Sequence, residues 1–194
     1  MQHLNAIDLG LAASHSYGEI ARKVFLTYPT SAFIGHEERQ YEILNDVASY
    51  FRVPITCIHV AGSAKIGHSI HKKTAFTPGI SDLDLAVIDA PLFTCYLEIG
   101  LRLSKGYSDG TAFPSRATGS TQEEYLRYLA RGIFRPDLMP MGEERADWNN
   151  FFGQLSARHT TMFRSISAAI YLSQNCFESK QRSAIRAHAA KGVI

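Results

Sequence analysis

At 194 residues, with 45% hydrophobic and 20% charged positions, the chain is long enough to bury one full core, and its composition excludes a disordered, collagen-like or coiled-coil protein. Its formal net charge of +2 is too mild to imply a nucleic-acid binder by itself.

In chain order, the first 30 residues read as interrupted helix, with Pro29 ending the segment Tyr17 to Thr27. The opening MQHLNAIDLGLAASHS carries no cationic region of the kind that begins a signal peptide. No apolar run approaches the ~20 residues of a membrane span, so no membrane contact and a cytoplasmic location are expected. Tyr41, Leu44, Val47, Ala48 and Phe51 recur at helical spacing behind Glu37 and Glu38, predicting an amphipathic helix with acids in its first turn that stops before Pro54. Ile55 to Val60 is short and β-branched, and reads as a strand ended by Gly62-Ser63. Lys65 to Gly79 is a polar insertion. Ser81 to Asp89 then alternates before turning wholly apolar, as a strand does on entering a sheet.

Pro91 begins a helix through Leu103, Gly106 to Ser120 is irregular, and Thr121 caps a helix reaching Arg131. Gly132 to Gly142, with two prolines, reads as an extended connection. From Trp148 onward, Phe151, Phe152, Leu155, Met162, Phe163, Ile166, Ala169, Ile170 and Ser173 form a helical stripe, predicting one or two long C-terminal helices. The organisation expected is therefore a core of residues 1–147 and a helical segment of residues 148–194 packed on it. From Arg158 to the end, Arg158, Arg164, Lys180, Arg182, Arg186 and Lys191 stand against the single acid Glu178. That basic bias is either a solvated helix face or a contact for nucleic acid or a partner protein. Cys57, Cys95 and Cys176 stand far apart with no CxxC pair, and read as buried free thiols, with no disulfide framework and no structural zinc.

The chemistry concentrates in Gly62-Ser63 and Ser81-Asp82-Leu83-Asp84-Leu85. Carboxylates at i and i+2 on a strand project from one face, close enough to share a hard divalent cation such as Mg²⁺. A Gly-Ser turn presents backbone N–H groups and a hydroxyl to phosphate. The alternative reading is an amphipathic edge strand and an ordinary turn.

Together, GSAKIG and SDLDLAVID resemble the signature of the DNA polymerase β-type nucleotidyltransferase superfamily, a Gly-Ser turn followed by a strand bearing Asp-x-Asp. The resemblance covers Ile55 to Asp89. It implies an α+β fold, a nucleotidyltransferase-like small mixed sheet with flanking helices and a helical C-terminal lobe. It also implies transfer of a nucleoside monophosphate from a nucleoside triphosphate to a hydroxyl, with Asp82 and Asp84 as catalytic ligands of Mg²⁺ or Mn²⁺. Gly62, Ser63 and Ser81 would lie on the phosphate side, and Lys65 is either a phosphate contact or a solvated lysine.

Two departures from the pattern stand out. The loop between Ser63 and Asp82 is long and carries His68, His71, Lys72 and Lys73, whose histidines lack a third ligand nearby. The third carboxylate that active members supply from a later strand has only Asp109 and Asp137 as candidates, and neither sits in a strand pattern. A catalytically inactive module that binds nucleotide, nucleic acid or a partner protein, as in a toxin-antitoxin or phage-defence system, is the alternative.

Overall fold

In the computed structural model, which describes residues 2–116 and 119–190, helices α1 (Gln2–Ala12) and α2 (Tyr17–Ala21) lead into a π-helical turn at Arg22–Thr27, just ahead of Pro29. A capping box starts α2: Ser16 Oγ accepts from Glu19 N–H, and the Glu19 carboxylate accepts from Ser16 N–H. Helix α3 (Glu37–Phe51) begins with its two acids and ends at Arg52 in the left-handed region. Strand β1 (Ile58–Ala61) runs into the short helix α4 (Gly62–Ile66). A small hairpin follows, β2 (His68–Ser69) with β3 (Thr74–Ala75), and then strand β4 (Leu83–Ile88) and helix α5 (Ala90–Leu103). A second hairpin, β5 (Ser115–Arg116) with β6 (Gly119–Ser120), precedes helix α6 (Gln122–Leu129), strand β7 (Ile133–Phe134), helix α7 (Glu143–Arg158), strand β8 (Ile166–Tyr171) and helix α8 (Gln174–Ala189).

The main sheet has the order β1-β4-β8-β7, with β4 and β8 parallel at its centre and both outer strands antiparallel to their neighbours. The protein is thus mixed α+β, as expected. Alternation along the strands assigns the two faces. Leu83, Leu85 and Val87 of β4, with Ile166, Ala168 and Ile170 of β8, join the core built with α3, α5, α6 and α7. Trp148 is at its centre, with ring centroids 4.9 Å from Phe51, 5.2 Å from Tyr96 and 5.3 Å from Phe152. On the opposite face, Ala86 and Tyr171 pack against Ile7, Ile20, Phe177 and Ile185 of α1, α2 and α8. Asp84 and Ser167 lie on this second face, where the covering layer parts.

Three expectations are corrected. The expected helical segment of residues 148–194 is not a helical lobe over its described part, residues 148–190: Ile166–Tyr171 is a central strand of the sheet, so this part completes the core. ISAAIY carries apolar residues on both faces, with Ser167 alone exposed where the cleft opens, and such a run satisfies a helical stripe as readily as a mostly buried strand. Ile55–Cys57 is a 3₁₀ turn, so β1 begins only at Ile58. The cysteines are free but not buried, Cys57 and Cys176 being half-buried and Cys95 exposed. Among the described residues no helix is long and apolar enough to cross a membrane.

Candidate functional site

A cleft of about 1020 Å³ opens between the second face of the sheet, the β2–β3 hairpin and α8. Gly62, Ser63, Ser81, Asp82 and Asp84 all line it. Asp84 is its landmark. Ala61 is paired with Asp84 across β1 and β4, which brings Gly62 alongside the carboxylate. A Cβ at Gly62 would fall inside the van der Waals envelope of Asp84 Oδ2, and the residue has φ +63°, so both space and backbone require glycine there. The Asp84 carboxyl is open to the solvent of the cleft, yet the walls around it raise its pKa above the ordinary aspartate range, and the Asp82 charge adds to the effect. The Ser167 hydroxyl and the charges of Arg135 and Lys72 work the other way.

Asp82 lies just ahead of β4 and is fully engaged. Arg164 donates from Nε to Oδ1 at 3.0 Å and from Nη2 to Oδ2 at 2.6 Å, and Ser165 Oγ donates to Oδ1 at 2.8 Å. Backbone bonds hold this arrangement in register: Arg164 N–H donates to Ser81 O at 3.0 Å and Leu83 N–H to Ser165 O at 2.8 Å. Ser81 is spent on a turn, its Oγ accepting from Thr77 N–H.

Lys65 is not part of the cleft lining. It is 5% exposed, and its Nζ donates to Tyr28 O at 2.6 Å, so α4 turns this side chain inward toward the N-terminal segment. Burial lowers its pKa from 10.5 to about 8. Lys65 is therefore neither the phosphate contact nor the solvated lysine expected.

The place opposite Asp84 on the next strand is held by Ser167, its register partner on β8. Asp109 caps the turn at Thr111 and pairs with Lys105, away from the cleft. Asp137 does reach the cleft wall, but Arg135 grips both its oxygens, at 2.9 and 2.7 Å. Among the described residues no group of three or more His, Cys, Asp or Glu side chains is placed to hold a metal ion, His68 and His71 included. A pair of Mg²⁺ ions does not fit this donor set, because Asp82 has a guanidinium across both oxygens and the third position is a hydroxyl.

Four cationic side chains, Lys72, Arg135, Arg164 and Lys180, line the cleft against three carboxylates, Asp82, Asp84 and Asp137. Tyr128 gathers part of this charge, with the Arg135 guanidinium 4.9 Å and the Lys180 ammonium 5.7 Å from its ring centroid. Neither Lys72 nor Lys180 has an acidic partner among the described residues. The basic residues of the last third do not form one face. Arg158 bonds Asp46, Arg164 bonds Asp82, Arg186 covers the Tyr17 ring and Lys180 enters the cleft, while Lys191 lies outside the described residues.

Sequence reasoning missed Arg135 and Ser167, and saw Lys180 and Arg164 only as part of a basic bias. The signal for Arg135 was Ile133-Phe134 immediately before it, an apolar pair long enough to be an outer strand aiming the next residue at the cleft. Comparison with protein-family models, curated proteins and solved structures returns no match to this chain.

Proposed function

We propose that the chain is a nucleotide-binding module of nucleotidyltransferase type, in which the cleft takes a nucleoside triphosphate. The observation that carries this reading is the convergence of Lys72, Arg135 and Lys180 on the cleft whose floor is Gly62 and Asp84. Three cations of different elements, two of them without an acidic partner among the described residues, supply what a triphosphate requires. Ile80, which is exposed, and the half-buried Ile70 line the same cleft and offer apolar surface to a base and sugar. A Lys180→Glu protein, altered at a half-buried side chain with no acidic partner among the described residues, should lose ATP affinity by about tenfold or more in calorimetry, since charge reversal replaces attraction with repulsion. Unchanged affinity would place the nucleotide elsewhere.

The second reading is metal-dependent transfer of the nucleoside monophosphate to a hydroxyl, favoured by the side-by-side placement of Asp82 and Asp84 at the strand end. Mg²⁺ or Mn²⁺ would have to displace Arg164 from Asp82 for this to operate. Pyrophosphate release from labelled triphosphates in Mg²⁺ or Mn²⁺, absent in an Asp84→Asn protein, would establish transfer. Binding without release leaves the module as a binder.

A further inference from the structure

We propose that the cleft binds its phosphorylated ligand without a divalent cation, the guanidinium of Arg164 being the counter-cation of Asp82. The inference rests on the nucleotide reading above and gives the site its charge logic. A carboxylate pair at the end of a strand repels itself and repels phosphate unless a positive charge stands beside it. In this chain that charge is covalently attached. Arg164 meets Asp82 through two parallel N–H···O bonds, and Ser165 supplies a third donor, so the oxygens a hard cation would seek are already satisfied.

Position reinforces the pairing. Arg164 and Asp82 sit on the lead-ins of the two parallel central strands, and the backbone bonds from Arg164 to Ser81 and from Leu83 to Ser165 fix them opposite one another. Asp137, the other carboxylate of the wall, is neutralised in the same bidentate manner by Arg135. Two of the cleft's three acids are thus internally compensated, and Lys72 and Lys180 remain to meet an incoming polyanion. A metal-dependent phosphoryl site needs the reverse balance, with carboxylates in excess over fixed cations until the ions arrive.

Calorimetry of the full chain with ATP, in buffer containing EDTA and again in buffer containing Mg²⁺, tests this. The expected result is binding in EDTA that is no weaker than in Mg²⁺. Binding that appears only with Mg²⁺, or tightens about tenfold with it, overturns the inference while leaving the nucleotide reading intact. Absence of binding in both buffers removes the nucleotide reading itself. A second measurement, electron paramagnetic resonance of Mn²⁺, compares wild type with Arg164→Gln, a change at an exposed side chain. Mn²⁺ is expected to stay free beside the wild-type protein and to bind the variant, whose Asp82 and Asp84 have lost their internal counter-charge. Equal behaviour of the two proteins, bound or free, would contradict the assignment of that charge to Arg164.

Discussion

Arg164 and Asp82 face each other from the lead-ins of two parallel strands and are joined by two hydrogen bonds, with Ser165 adding a third to the same carboxylate. Asp82 is therefore part of a closed charge pair at the mouth of the cleft. Half-exposed pairs of this kind contribute about 0.2–1 kcal/mol to stability. An Asp82→Asn protein should accordingly fold, lose no more than that, and bind ATP in EDTA at least as tightly as wild type, since Arg164 is released toward the ligand. Calorimetry checks the affinity and urea unfolding the stability.

Asp84 should behave as a site residue that costs the fold something. Its carboxyl pKa is raised, so the folded protein holds the proton more tightly than the unfolded chain does. Stability is then lowest above the folded pKa and recovers as pH falls through it toward the ordinary aspartate range. An Asp84→Asn protein should melt higher than wild type at pH 7, with the gap closing in acid. A thermal melting series from pH 7 down to 4 measures this, and a lower melting point at pH 7 would contradict it.

Gly62→Ala tests the close approach of the start of α4 to the Asp84 carboxylate. A left-handed conformation costs a non-glycine residue about 1–2 kcal/mol, and the new methyl also has to push Asp84 Oδ2 aside. The variant should lose at least that much in urea unfolding. It should also bind ATP more weakly, because the floor of the cleft moves.

Lys65 predicts a pH dependence of opposite location. Its folded pKa, about 8, lies below the unfolded value, so between about pH 8 and 10.5 the unfolded chain binds a proton that the folded protein has released. Wild-type stability relative to a Lys65→Met protein should be flat below pH 8 and rise above it, by up to about 3 kcal/mol across the full interval. Urea midpoints at steps from pH 7 to 10 give the curve. ATP affinity measured at pH 7 should change little, since Lys65 points away from the cleft.

The parts of this protein that were legible in the sequence are those with local signals. The acids and apolar spacing of Glu37–Phe51, and the alternation that turns apolar in Ser81–Asp89, each describe a single element whose own residues carry its burial pattern. Gly62, Ser63, Asp82 and Asp84 were legible as one site because a turn and a strand end name themselves. What was not legible depends on partners distant in sequence. Ile166–Tyr171 reads as helix until it is paired with Leu83–Ile88 at the centre of the sheet, and Lys65 reads as a cleft lysine until Tyr28 is placed beneath it. The pairing of Arg164 with Asp82 spans 82 positions and has no local signature at all. It is also the contact that most changes the chemistry, from a carboxylate site awaiting metal to one that is already balanced.

The most direct test is a crystal structure of the protein grown with ATP and Mg²⁺ together. The account predicts the triphosphate in the cleft within hydrogen-bonding distance of Lys180 and Lys72, with the Arg164 guanidinium still on Asp82. A Mg²⁺ ion seated between Asp82 and Asp84, with Arg164 swung away, would contradict it.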